Sequence, residues 1–92
     1  MANTKSALKR IRQTEKRRKR NRKVRAETRT YIKQARVQIE EGELEEAQKS
    51  VAQAIRALDK AAEKGVLHRN NAARRKSRLM RKLNQAMQAT EA

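Results

Sequence analysis

Two glycines, Gly42 and Gly65, are the only strong helix breakers in this chain, because no proline occurs anywhere in its 92 residues. Punctuation this sparse leaves three long stretches with nothing to interrupt a helix. The expected fold is therefore all-α, a three-helix up-down-up bundle with short turns at the two glycines and a long, projecting basic N-terminal helix. Helix one spans about residues 5–41, with Thr4 or Ser6 as its cap and residues 5–20 as an overhang. Helix two spans about residues 43–64. Helix three spans about residues 70–87, capped by Asn70 or Asn71, and residues 88–92 form a tail to which no role is assigned. The whole is read as a single domain.

An overhang is required because a helix over 5–41 is about 55 Å long, more than a domain of this size can cover. Periodicity identifies the covered part. Val24, Thr28, Tyr31, Ile32, Ala35 and Ile39 recur at helical spacing and form one apolar stripe, with Val37 off it and half exposed. Between Arg12 and Lys23 there is no apolar residue at all, so that segment has no face with which to dock on protein. Ala7, Leu8 and Ile11 make only a small apolar patch at the tip. Helix two offers Leu44, Ala47, Val51, Ala54, Ile55, Leu58, Ala61 and Ala62. Helix three offers Ala72, Leu79, Met80, Leu83, Ala86 and Met87, with Arg74, Arg75, Arg78, Arg81 and Lys82 on its other side. Val66, just past Gly65, sits where a Schellman turn makes its hydrophobic contact. Helix two reaches back only over about residues 20–41, so the overhang should leave the bundle beside His68, Arg69, Arg74 and Arg75.

Charge follows the same division. The net charge is +16, with +13 in residues 1–36, −3 in residues 37–66 and +6 in residues 67–92. Within Lys16–Arg25 eight of ten residues are Lys or Arg, and from Lys5 to Arg25 a single acid, Glu15, stands against twelve bases. Such a block repels itself in isolation and is suited to a polyanion. Leu, Ile, Val and Phe number 14 of 92, so little apolar area is available to offset chain entropy. Residues 1–20 are accordingly expected to fray in the free protein, and residues 24–84 to hold.

Catalysis has no residues to work with. Cysteine is absent, histidine occurs once, and the acids lie on an exposed turn with no Gly-rich phosphate loop nearby. No catalytic residue, cofactor site, metal site or small-molecule substrate is expected. His68 is read as a structural or RNA-contacting side chain and not as a general base. No apolar run is long enough for a membrane span, and the basic N-terminus has no hydrophobic segment like that of a secretory signal. An organelle transit peptide is also basic, but here the basic character returns near the C-terminus, as a working surface would. An intracellular, soluble chain is expected.

Single-strand binding normally uses aromatic stacking platforms, and the one aromatic here, Tyr31, lies on the core stripe. Phosphate contact to a folded duplex or junction fits better, and a helix charged all round suits a cleft in folded RNA more than one face of a DNA duplex. A nucleoid-type DNA-binding protein has the same charge logic. The segment Ala72–Leu83 could also form a cationic amphipathic helix for a membrane surface or a calmodulin-like partner. It lacks Trp or Phe anchors, and helix two needs its apolar face.

The opening Met1–Arg12, MANTKSALKRIR, and the block Lys64–Asn84, KGVLHRNNAARRKSRLMRKLN, resemble the bacterial-type family of small-subunit ribosomal protein number twenty. The resemblance covers nearly the whole chain in the same order, and the second block is its more specific part. It implies a three-helix bundle with an extended first helix, bound directly and early to 16S ribosomal RNA low in the small-subunit body. It further implies a protein that is monomeric when free and works within the ribosome of a bacterial cytoplasm or plastid stroma. The RNA-contacting positions it implies are Lys5, Ser6, Lys9, Arg10, Arg12, Lys16, Arg17, Arg18, Lys19, Arg20, Asn21, Arg22, Lys23 and Arg25 in the first block. In the second they are His68, Arg69, Asn70, Arg74, Arg75, Lys76, Ser77, Arg78 and Arg81.

Overall fold

A computed structural model describes residues 4–91 and places them in three α-helices, α1 (Lys5–Glu40), α2 (Leu44–Glu63) and α3 (Arg69–Glu91). No strand occurs among the described residues. α1 begins where Thr4 adopts extended backbone and its Oγ1 accepts from the Ala7 amide at 3.2 Å, which satisfies one of the free first-turn donors. Of the two candidate caps, Thr4 takes the place and Ser6 lies inside the helix.

Both turns are Schellman motifs. The Gly42 amide donates to the Ile39 carbonyl and the Glu43 amide to the Gln38 carbonyl, at 3.2 and 3.0 Å. The Gly65 amide donates to Ala62 and the Val66 amide to Ala61, at 3.1 and 2.9 Å. Each glycine has φ +77°, and a Cβ at either would meet nothing within 4 Å. Glycine is thus required by the left-handed backbone, not by lack of space. Val66 is buried and completes the second turn, whereas its counterpart in the first turn is the exposed Glu43.

α2 is the spine of the bundle and touches both other helices far more than they touch each other. Its buried face carries Ala47, Ala54 and Ala61, seven residues apart, with Val51 and Leu58 between them. Small residues at this spacing let backbones approach closely. Facing elements supply Ala35 and Ile39 from α1 and Leu79 and Leu83 from α3. Five of the eleven buried apolar residues are alanine, so the core is thin for its length. The two buried polar side chains are satisfied: Thr28 Oγ1 donates to the Val24 carbonyl at 2.8 Å, and Ser50 Oγ donates to Gln38 Oε1.

The molecule measures 69 × 21 × 14 Å with a radius of gyration of 18.1 Å, against about 12 Å for a compact chain of equal length. The excess is the overhang. Residues 8–20 are all exposed, and partial burial resumes only at Asn21 and Val24.

Four sequence expectations are corrected. Helix three does not stop near residue 87: α3 continues to Glu91, so most of the assigned tail is helix. Its cap is neither Asn70 nor Asn71. His68 precedes the helix, and its Nδ1 accepts from the Asn70 amide at 3.1 Å while its carbonyl accepts from Ala72 at 3.0 Å. Tyr31, assigned to the core stripe, is 38% exposed. It lies about 60° round the helix from Thr28, at the edge of the buried stripe. Met80, assigned to the core face of helix three, is 49% exposed because it lies about 100° round from Leu79. Met87 does pack against the core.

Candidate nucleic-acid interface

The overhang is the simplest part to build. Lys5, Ser6, Lys9, Arg10, Arg12 and the bases of Lys16–Lys23 are exposed on a helix with no protein face, and Asn21 is half-buried where the bundle begins. α1 has no acid in its first turn and no base in its last, so its fixed charges run against the helix dipole at both ends. That arrangement is unfavourable within the protein alone. An external anion along the N-terminal half would relieve it.

The overhang is anchored at the α2–α3 turn. A guanidinium nitrogen of Arg25 donates to the Val66 carbonyl at 3.3 Å, and Arg25, Arg29, His68, Asn71 and Arg75 border a cleft of about 340 Å³ there. Arg75 Nε in turn donates to Asn71 Oδ1 at 3.0 Å, which fixes the guanidinium at the cleft edge. His68 both caps α3 and lines this cleft. Arg69, Asn70 and Arg74 are exposed on the first turns of α3. The base of the first basic block and the start of the second therefore meet at one end of the bundle. The acids Glu40, Glu41, Glu43, Glu45 and Glu46 cluster around the α1–α2 turn, at its other end.

From this cleft a second feature runs along the open seam between α1 and α3. Arg29, Lys33 and Arg36 on α1 face Arg75, Arg78 and Lys82 on α3 across a groove of about 630 Å³, with Ile32 and Leu79 beneath them. Four of these cations, Arg29, Lys33, Arg36 and Lys82, were not among the positions implied by the family resemblance. A signal for the first three is present in the sequence. Arg18, Arg22, Arg25, Arg29, Lys33 and Arg36 follow one another at spacings of three and four, a single line along one helix face.

The remaining implied positions are not gathered with these. Lys76 Nζ is turned to Asp59 on α2 at 2.7 Å. Ser77 and Arg81 border a shallow depression beside the exposed Met80, on a face of α3 away from α1. The basic residues of α3 therefore divide between two faces instead of forming one cluster. Lys82 lies 3.5 Å from Glu40, which marks the acidic limit of the α1–α3 groove.

These groups are suited to holding phosphate oxygens. Among the described residues no group of three or more His, Cys, Asp or Glu side chains is placed to hold a metal ion, and no helix is long and apolar enough to cross a membrane.

Comparison with known proteins establishes the family. The family described as "Ribosomal protein S20" matches residues 2–84. The small ribosomal subunit protein bS20 of Thermomicrobium roseum is 53% identical over 89 residues, 97% of this chain and 90% of the relative. Its namesake in Dictyoglomus thermophilum is also 53% identical over 89 residues, covering 97% and 96% of the two chains. That of Coprothermobacter proteolyticus is 51% identical over 88 residues, covering 96% of this chain and all of the relative. With a family match over most of its length and relatives at half identity along both chains, this chain belongs to the ribosomal protein S20 family.

Proposed function

We propose that the chain is a structural component of the small ribosomal subunit that binds 16S ribosomal RNA directly and holds RNA helices together during assembly. The observation that carries this is the junction at Arg25 and Val66, where a helix basic on every side meets the basic start of α3 with the acids kept at the far turn. The names of its relatives support the ribosomal setting, and a bacterial cytoplasm is the location that agrees with their sources. The family is one of structural ribosomal proteins and not of enzymes.

The mechanism is electrostatic scaffolding. RNA helices repel each other through their phosphates, and a rod of positive charge inserted between them lowers the cost of close approach. Each Lys or Arg that meets a phosphate also releases condensed counterions, which gives affinity at low salt. The overhang bases from Lys5 to Arg25 make the larger share of these contacts. His68, Arg69, Asn70, Arg74, Arg75 and Arg78 continue them onto the bundle, and Lys76, Ser77 and Arg81 reach RNA from the outer side of α3. Before it joins RNA the protein acts as a monomer.

Chemical footprinting of protein-free 16S ribosomal RNA tests this. One compact protected region, lost when the Lys16–Arg25 bases are replaced by glutamine, is the expected result. Weak protection spread evenly along the RNA would contradict it.

A further inference from the structure

We propose that the α1–α3 groove is a binding site for one unpaired nucleotide, with its base over Ile32 and its phosphates on the two cationic rims. The assignment of RNA as the source rests on the function proposed above. The residues themselves give the chemistry. Arg29, Lys33 and Arg36 face Arg75, Arg78 and Lys82 across an open seam, and no acid borders the groove. Glu40, which meets Lys82 at 3.5 Å, lies at its end. Like charges placed on both walls repel one another across the gap, and only an anion between them reverses the sign of that interaction.

The floor narrows the class of anion. Ile32 is half-buried and Leu79 is buried, so the apolar surface at the base of the groove is that of Ile32, while the rims are charged. A duplex backbone would meet the rims and leave the floor uncovered. A volume of about 630 Å³ lies in the range of small-ligand sites and admits one nucleotide. Guanidinium planes at Arg29, Arg36, Arg75 and Arg78 can stack on a base as aromatic rings do elsewhere, which removes the need for aromatic residues, of which this chain has only Tyr31.

The test uses the full chain with methyl-labelled isoleucine, titrated at low ionic strength with adenosine monophosphate and, separately, ribose 5-phosphate. Adenosine monophosphate should shift the Ile32 methyl resonances saturably through the ring current of its base, and ribose 5-phosphate should leave them in place. Combining Arg36→Gln with Arg78→Gln should weaken the nucleotide several-fold while the helical signal is retained. Equal responses to the two ligands would overturn the proposal, because a phosphate site alone would then explain them. Binding of 16S ribosomal RNA is measured in parallel on the same protein. Unmoved methyls with selective RNA binding would reject the nucleotide groove and leave scaffolding intact. Nucleotide-specific shifts without selective RNA binding would support the groove and reject scaffolding.

Discussion

The Arg25 guanidinium and the Val66 carbonyl, 41 positions apart in sequence, meet at 3.3 Å where the projecting helix enters the bundle. This bond ties the direction of the overhang to the α2–α3 turn, and through Gly65 and His68 to the start of α3. Arg25→Gln removes the charged donor and leaves a partly buried carbonyl without it. The expected cost is about 1 kcal/mol in urea unfolding. RNA affinity should fall further for Arg25→Gln than for Arg18→Gln, which removes one charge from a fully exposed site; equal losses would show that the junction has no positioning role.

Both turns depend on backbone conformation alone. Gly42→Ala and Gly65→Ala should each destabilise by about 1 kcal/mol, since φ is +77° at both and a Cβ meets nothing within 4 Å. Asparagine at either site should cost less, because it tolerates the left-handed region. Thermal unfolding of the four variants checks this, and a much larger loss at one turn would point to a clash that the geometry does not contain.

Leu58 is the largest side chain with no exposure, and it lies on the helix that both others pack against. Leu58→Ala should cost about 2–5 kcal/mol. With a core in which alanine is so frequent, that loss should unfold the free bundle at moderate temperature, seen as loss of helical circular dichroism. Thr28→Val should be nearly neutral by comparison, because the Thr28 hydroxyl bonds only to the Val24 carbonyl one turn back.

Amide exchange should divide α1 sharply. Residues up to about 20 have no tertiary contact to protect them and carry self-repelling charge, so they should exchange near the rate of an open chain in the free protein. Protection should begin near Val24. Adding 16S ribosomal RNA should extend it toward Lys5. An N-terminal half already protected in the free protein would contradict this.

What could be read from the sequence divides along physical lines. Gly42 and Gly65 punctuate a chain without proline, and their left-handed turns act within a few residues, so the helix order needed no tertiary information. The overhang was legible because Arg12–Lys23 offers no apolar face for any packing to use. Tyr31 and Met80 were misplaced because a stripe drawn from periodicity has soft edges. How much of each edge is covered depends on how closely the alanines of α2 let the helices approach. His68 was missed as the cap because an imidazole seldom fills that position, while two adjacent asparagines compete for it on propensity. The α1–α3 groove requires knowing that α2 is the spine and that the other two helices stand apart. The bases of α3 are legible opposite its apolar face, whereas the line Arg29, Lys33 and Arg36 on α1 gains its meaning only once the fold sets the two rows face to face.

The most direct measurement is equilibrium binding to protein-free 16S ribosomal RNA at two salt concentrations, with excess duplex DNA and unrelated structured RNA as competitors. With around ten phosphate contacts, the slope of log affinity against log salt should lie at roughly −7 to −9. Binding should survive both competitors. Equal loss to either competitor would show charge without selection, and would move a nucleoid-type DNA-binding role ahead of ribosomal scaffolding.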